Sequence, residues 1–383
     1  MIKHKAYKFE IYPDNSQVVL FSKTFGCCRL VYNLLLSDKT DYYKETKQKL
    51  KREVSFYKKQ EEYIFLKEVD SLALANAKLN LDNAYEGFFK KRTKFPKFKK
   101  KGKAKDSYTT NRTVSKTGRS NIELTEAGLK LPKVGVVKTK QHRPIGSNET
   151  IKSVTISRVA GKYYASILVE YEAEEILPTT DISLNDVIGF DFSVPHFAVD
   201  SNGNAIDMPH YYRRAEKKLA KEQKMLSKKQ FRSKNYGKQQ LKVQKIHNHV
   251  ANQRKDFIHK LTRELVNSEY KVFAFEDLNL SNMKRTLKLG KSISDNGFGM
   301  FRDILKYKAE AEGKYFVKID KWFASTKTCS HCGYKNNTIT LATQEWICPE
   351  CNAHHLRDHN AAINIKKEGY EVLLKTLQPS IVV

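Results

Sequence analysis

Acidic residues, cysteine and long apolar runs are all scarce in this chain. Its 42 Asp and Glu face 70 Lys and Arg, a formal charge of +28. That imbalance argues against a cationic main partner and favours a polyanion. No run approaches eighteen consecutive apolar residues, and no lipidation signal appears. The opening MIKHKAYKFEIYPD lacks the apolar centre of a signal peptide, so the expected setting is cytoplasmic with no membrane partner. No internal repeat stands out, and 383 residues can bury two or three cores. Two of the six cysteines, Cys27 and Cys28, lie in a helical pattern and read as buried thiols.

The other four form two CxxC pairs, Cys329/Cys332 and Cys348/Cys351, with fifteen residues between the pairs. Two knuckles of two thiolates each can surround one tetrahedral Zn²⁺, and the gap holds a small β-ribbon. Disulfides suit an oxidising compartment, which a chain without a secretory signal does not enter, and a redox CxxC would not come in pairs. Four cysteines close the coordination sphere, so this zinc is structural. His354 and His355 read as bystanders.

In chain order, Tyr7, Phe9 and Ile11 give residues 2–12 a strand-like alternation. Asp14 or Ser16 can cap a following helix, whose apolar positions include Val18, Phe21, Phe25, Cys28, Tyr32 and Leu35. Asp70 and Ser71 precede a second helical stripe of Leu74, Ala77, Leu81, Ala84 and Phe88. Strand patterns occupy 106–175, including Gly128–Lys138, Ile151–Ile156 and Tyr163–Glu170 after a turn at Gly161-Lys162. They read as a small antiparallel barrel or sheet that the first strand can join, leaving the helices at 14–105 as an insertion. Further strands are expected at 187–191, Phe197–Val199, Lys271–Phe275 and Tyr315–Ile319. Helices are expected from about Phe298 to Gly313 and over Asn360–Lys367.

Two stretches concentrate the positive charge. Residues 88–105 carry ten Lys or Arg and no acid, interleaved with Phe88, Phe89, Phe95 and Phe98. Cations neutralise phosphates and rings stack on bases. The nucleic-acid candidates there are Lys90, Lys91, Arg92, Lys94, Lys97, Lys99, Lys100 and Lys101. Residues 211–268 are helical, with 17 Lys or Arg against 3 acids between Arg213 and Arg263. Ser233–Gly237 is expected to break them into a hairpin. Its candidates are Arg213, Arg214, Lys217, Lys228, Lys229, Arg254 and Lys255.

Asp191 and Glu276 each close an apolar strand, and Asp358 opens a helix seven residues after the last cysteine. Carboxylates at element ends around a sheet can converge, and converging ones repel unless cations lie between them. Two Mg²⁺ ions would serve, with one activating a water and the other stabilising a leaving phosphodiester oxygen. Asp186, Asp200, Asp207 and Asp277 read as structural.

Three motifs, FDFSVPHFAVDSNG, VFAFEDLNLSNM and HHLRDHNAAINI, with the CxxC pairs before the third, resemble the RuvC-type nuclease of TnpB proteins. TnpB is an insertion-sequence family regarded as ancestral to type V CRISPR effectors. TFGCCRLVYN, FPKFKKKGKAKDSY, NQRKDFIHKL, SISDNGFGMFRDILKYKAEAEGK and WFASTKTCSHCG extend the resemblance over nearly the whole chain. Ser193 stands where Gly is frequent, Leu356 where Asp often lies, and Phe298 where Trp is common.

The resemblance implies a bilobed mixed α+β architecture. A wedge-type β-barrel (1–13 and 106–180) would carry an inserted helical recognition domain (14–105). An RNase H-like (RuvC) core (181–321 and 354–383) would carry the basic helical insertion (211–268) and a zinc ribbon (322–353). It implies an RNA-guided, Mg²⁺-dependent DNA endonuclease, with Mn²⁺ able to substitute. The implied partners are a guide RNA from the transposon end and target double-stranded DNA, with the protein a monomer or weak dimer on the RNA. By residue match, Asp191 would bridge two metals, with Glu276 and Asp358 on either side. An intact set of acids separates a nuclease from relatives that bind DNA through RNA without cutting.

Overall fold

The computed structural model describes residues 1–193, 196–277, 297–340 and 342–377. Parts of three motifs, Val194-Pro195, Leu278–Met283 and Ser292–Asn296, lie outside the described residues. The chain divides into two compact units, Met1–Glu174 and Glu175–Val383.

The first unit is a seven-stranded sheet covered by helices. Strand β1 (Ile2–Tyr12) lies inside it, between β7 (Lys162–Glu172) and β5 (Gly135–Lys140). Both neighbours run antiparallel to it. On the β7 side follow β6 (Glu149–Val159) and the edge strand β2 (Asp106–Asn111). On the other side, β4 (Gly128–Leu131) and β3 (Glu123–Thr125) complete the order. The β6–β7 turn falls at Ala160-Gly161, one residue earlier than expected. Both of its residues are left-handed, at φ 49° and 84°, which suits a two-residue hairpin.

Between β1 and β2 the chain forms α1 (Asn15–Thr46), α2 (Val54–Lys58) and α3 (Ser71–Phe89). Asp14 caps α1 by accepting the Gln17 N–H at 2.9 Å, while the Gln17 side chain accepts the Asp14 N–H. Ser16 donates to Asp14 and is not the cap. By length and mean hydropathy (1.3), α1 could cross a membrane. Its Phe21, Phe25, Val31 and Leu35 are instead buried in one cluster with Phe9, Ile11, Leu74 and Ile156 of the sheet and α3. Cys27 and Cys28 are buried there as free thiols, and burial pushes the Cys28 thiol up to about 12.

The second unit holds a five-stranded sheet in the order β10-β9-β8-β11-β12. Its strands are β8 (Val187–Asp191), β9 (Ala198–Asp200), β10 (Ala205–Ile206), β11 (Val272–Glu276) and β12 (Tyr315–Ile319). An antiparallel meander β8-β9-β10 continues into β8, β11 and β12, which run parallel. This is the order of an RNase H-like core. Asp200 holds the β9–β10 turn by accepting the N–H groups of Asn202 and Asn204.

Alternation along β8 and β11 divides the side chains between two faces. Ile188, Phe190, Phe273 and Phe275 point to one face. There they pack on Ile258 and Val266 of α5 (Lys234–Asn267) and on Phe298, Phe301 and Leu305 of α6 (Phe298–Ala311). Val187, Val272 and Ala274 point to the other, against Ile365 and Leu373 of α7 (Arg357–Leu377).

The basic insertion is α4 (Tyr211–Ser227) followed by α5, an antiparallel pair. The break falls at 228–232, not at Ser233–Gly237. The Ser233 hydroxyl accepts the Tyr236 N–H and starts α5, and Gly237 lies inside the new helix. A lone glycine weakens a helix by only about 1 kcal/mol, which a cap can offset.

Candidate nuclease centre and zinc ribbon

Asp191 and Glu276 end the two central parallel strands. Phe190 pairs with Phe275 in register, so the two carboxylates leave the sheet side by side at its C-terminal edge. Each lies two residues beyond a side chain on the α7 face, Gly189 in β8 and Ala274 in β11, and alternation therefore turns both acids toward α7. That helix carries Asp358 in its first turn. It lies very close to β8, because a Cβ on Gly189 would stand 2.3 Å from the Ala362 carbonyl oxygen. Only glycine there allows the approach that brings the third acid to the other two.

The electrostatics follow from that proximity. Burial pushes the Asp191 carboxyl well above the usual carboxylate range, and the Glu276 and Asp358 charges push it further. Arg357 opposes them. Burial also raises Glu276, against a hydrogen bond donated by the Ser325 hydroxyl. Asp358 accepts two bonds from the Arg357 guanidinium, at 2.8 and 2.7 Å. Two desolvated carboxylates, Asp191 and Glu276, with Asp358 and its Arg357 partner beside Asp191, offer oxygen donors of the kind hard divalent cations take. Their chemistry is that of a divalent-cation site, and Mg²⁺ is the ion the resemblance implies.

The three acids thus stand together, held by groups that their own sequence patterns do not announce. Ser325 fixes the Glu276 carboxylate from a segment 49 residues away. Arg357 also donates to the Thr343 carbonyl, at 3.2 Å. The Asn360 side chain bonds the Ser330 N–H and the Thr328 carbonyl, both at 2.8 Å. Asn364 donates to the carbonyls of Ser325 and Thr328, at 2.8 and 2.6 Å. Two asparagines one turn apart inside a helix are poor helix formers, and that was the signal to find. Asp277 pairs with Lys318 and Arg302, Asp186 with Lys271, and Asp207 with His196.

The four cysteines gather at the other end of those asparagine contacts. Their Sγ atoms all lie within 4.8 Å of one another, with Cys329–Cys351 and Cys332–Cys348 each at 3.6 Å. A tetrahedral site with Zn–S bonds of about 2.3 Å places its sulfurs about 3.8 Å apart, so the cage fits zinc. A ribbon of β13 (Glu345–Ile347) and β14 (His354–Leu356) joins it to α7. The His355 ring lies 4.6 Å from that of Trp346, tilted by 41°, and its Nε2 lies 3.1 Å from the Cys329 sulfur.

The basic candidates fall on both units. Lys91, Arg92, Lys94, Lys97, Lys100 and Lys101 are exposed along an irregular strip after α3, and Lys90 pairs with Glu86 at 2.5 Å. Lys99 differs, being half-buried with its ammonium 3.9 Å from the Tyr32 ring and its backbone clamped by the Asn33 side chain. Arg213, Arg214 and Lys217 on α4 are exposed, as are Lys228 and Lys229 in the break and Lys255 on α5. Arg254 is half-buried beside Gly297.

Residues 166–287 match a family described as "Probable transposase" of the OrfB_IS605 type, and 298–365 match the "Cas12f1-like, TNB domain". Residues 1–48 match a "Helix-turn-helix domain", although here they form one strand and one long helix. A Streptomyces pristinaespiralis protein named "Putative RNA-guided DNA endonuclease" is 35% identical over 95% of this chain and 89% of its own length. The chain belongs to the TnpB family. A second relative so named, from Escherichia coli K12, is 28% identical over 97% of this chain and 94% of its own. Among solved structures, a Cas12f1 protein determined with its single-guide RNA and target DNA covers 95% of this chain. The match covers 99% of that protein, with a TM-score of 0.51 at 14% identity, and is a likeness of fold. The first two acids fall within the 166–287 match, and the third acid and all four cysteines within the 298–365 match.

Proposed function

We propose that this protein is an RNA-guided DNA endonuclease of a mobile element, cutting both strands at one carboxylate centre. One observation carries the reading: Asp191 is desolvated against two further carboxylates at the C-terminal edge of a parallel sheet. Ligand sites of open α/β sheets favour that edge, and an arrangement so unfavourable when empty of cations suits a site made to hold them. Asp191, Glu276 and Asp358 would together hold the Mg²⁺ ions. When bound, the ions supply an activated water and stabilise the leaving oxygen of the phosphodiester. Ser325 and Arg357 fix the rotamers of Glu276 and Asp358, so the centre is formed before substrate arrives. The exposed lysines of the 90–101 strip and of α4–α5 would hold the nucleic acids through their phosphates. Guidance by RNA is supported by the names of the relatives, and so is DNA as the substrate.

The test is to purify the protein from a host carrying its mobile element and sequence the RNA that stays bound. A plasmid library carrying matches to each part of that RNA beside a randomised adjacent motif should be cut in Mg²⁺, and RNase treatment of the complex should abolish cutting. Cutting that persists after RNase would contradict RNA guidance and favour an enzyme acting on DNA ends directly.

A further inference from the structure

Between β12 and the first zinc knuckle lies a short loop whose two ends both reach Glu276. Ile319 pairs with Glu276 in register, and the Asp277 N–H bonds the Ile319 carbonyl at 3.3 Å. At the far end, the Ser325 hydroxyl donates to the Glu276 carboxylate. Midway stands Trp322, 81% exposed and the most exposed of the large apolar side chains described. The other tryptophan of the chain, Trp346, is buried in the ribbon.

A tryptophan left in water gains no stability from burial, so its placement needs another cause. The loop is tied by its own hydrogen bonds. Asp320 accepts the Trp322 N–H on its side chain at 2.7 Å and the Phe323 N–H on its carbonyl at 3.1 Å. The Ser325 N–H bonds the Phe323 carbonyl, and the Lys327 and Thr328 N–H groups bond the Ala324 carbonyl. Three residues of fully extended chain span at most about 11 Å, so the Trp322 backbone lies within that distance of the strand position beside Glu276. The Lys321 ammonium lies 5.1 Å from the indole centroid, which places a cation next to the open ring.

A flat, open aromatic surface beside a cation is what an unstacked nucleobase and its phosphate bind. We propose that Trp322 is a positioning residue that stacks on an unpaired base of the DNA strand entering the nuclease centre. Lys321 meets the adjoining phosphate. The stack holds the strand so that the phosphodiester a short distance along it lies at Asp191, Glu276 and Asp358. This rests on the nuclease reading, since only a substrate strand has reason to pass Glu276.

Two readings separate the two claims. The first is tryptophan emission of the full-length protein with its co-purified RNA, titrated in EDTA with a 20-nucleotide oligo-dT. A fluorescent label on the oligonucleotide reports binding independently. Stacking should quench the wild-type emission as the oligonucleotide saturates. Trp322→Ala retains only the buried Trp346, and its emission should stay flat while it binds roughly five- to 160-fold more weakly. The second reading is the single-turnover cutting rate on a matched plasmid, which Trp322→Ala should lower and Trp322→Tyr should largely restore. Unquenched wild-type emission at saturation would overturn the stacking proposal, as would a Trp322→Ala protein that cuts at the wild-type rate. Quenching by a wild-type protein that cuts nothing would leave the stack standing and defeat the nuclease reading.

Discussion

Gly189 lies so close to Ala362 that a methyl group on it would stand 2.3 Å from the Ala362 carbonyl oxygen and 2.5 Å from the Lys366 nitrogen. A second close approach brings the same helix onto the neighbouring strand: a Cβ on Gly369 would stand 2.4 Å from the Ala274 Cβ. These two glycines set the height of α7 over the sheet and with it the position of Asp358. Gly189→Ala must push backbone from backbone, a form of overpacking that costs about 1–3 kcal/mol or more. Its melting temperature should fall, and cutting should fall by more than the fraction unfolded explains. A variant that melts and cuts like wild type would show that α7 does not need this approach.

Metal removal tests the acids through stability. Without cations, burial and its two neighbours raise Asp191, and burial raises Glu276. The native state then holds protons that the unfolded chain releases above its ordinary carboxylate values of about 4. This contribution is fully present below that pH and is lost as pH rises through the raised native values. In EDTA, the melting temperature should therefore decline as pH increases from about 4 toward neutrality. Asp191→Asn should flatten the decline, and millimolar Mg²⁺ should raise the wild-type value near neutral pH but not that of the variant. A wild-type profile indifferent to both pH and Mg²⁺ would contradict the repulsion.

The zinc cage should couple to cutting through the helix it supports. Cys348→Ser removes one of four thiolates, and the ribbon then loses its hold on the segment that Asn360 and Asn364 grip. Zinc content, melting temperature and cutting should fall together. A zinc-free protein that cuts normally in Mg²⁺ would show that α7 positions Asp358 unaided.

Neutralising three or four of Lys94, Lys97, Lys100 and Lys101 should weaken nucleic-acid binding at all sequences. Each lost phosphate contact should flatten the log–log salt dependence by about 0.7–0.9. An unchanged slope would assign those charges to solvated surface. Lys99 is left out of the set because its ammonium lies over Tyr32.

The sequence made some of this centre legible and hid the rest for a physical reason. Asp191 and Glu276 could be read because an apolar strand ending in an acid is a local pattern, and Asp358 because it follows the cysteines closely. The parallel pairing of β8 with β11 joins segments 85 residues apart at Phe190 and Phe275, and no local signal reports it. Ser325 and Arg357 escaped notice because an ordinary serine and arginine gain their roles only through partners the fold supplies. The helical break was misplaced because Ser233 can end a helix or begin one, and the Tyr236 N–H decides between them.

The central claim is that Asp191, Glu276 and Asp358 form one cutting centre separate from the surfaces that find the target. Asp191→Ala measures it most directly, in a plasmid cleavage assay with guide RNA and Mg²⁺ beside a gel shift on the same target. The variant should bind its RNA and the matched target as wild type does and cut neither strand. Glu276→Ala and Asp358→Ala should match it, with no additivity among the three. Continued cutting by Asp191→Ala would contradict the centre, and loss of target binding with it would make Asp191 a structural acid.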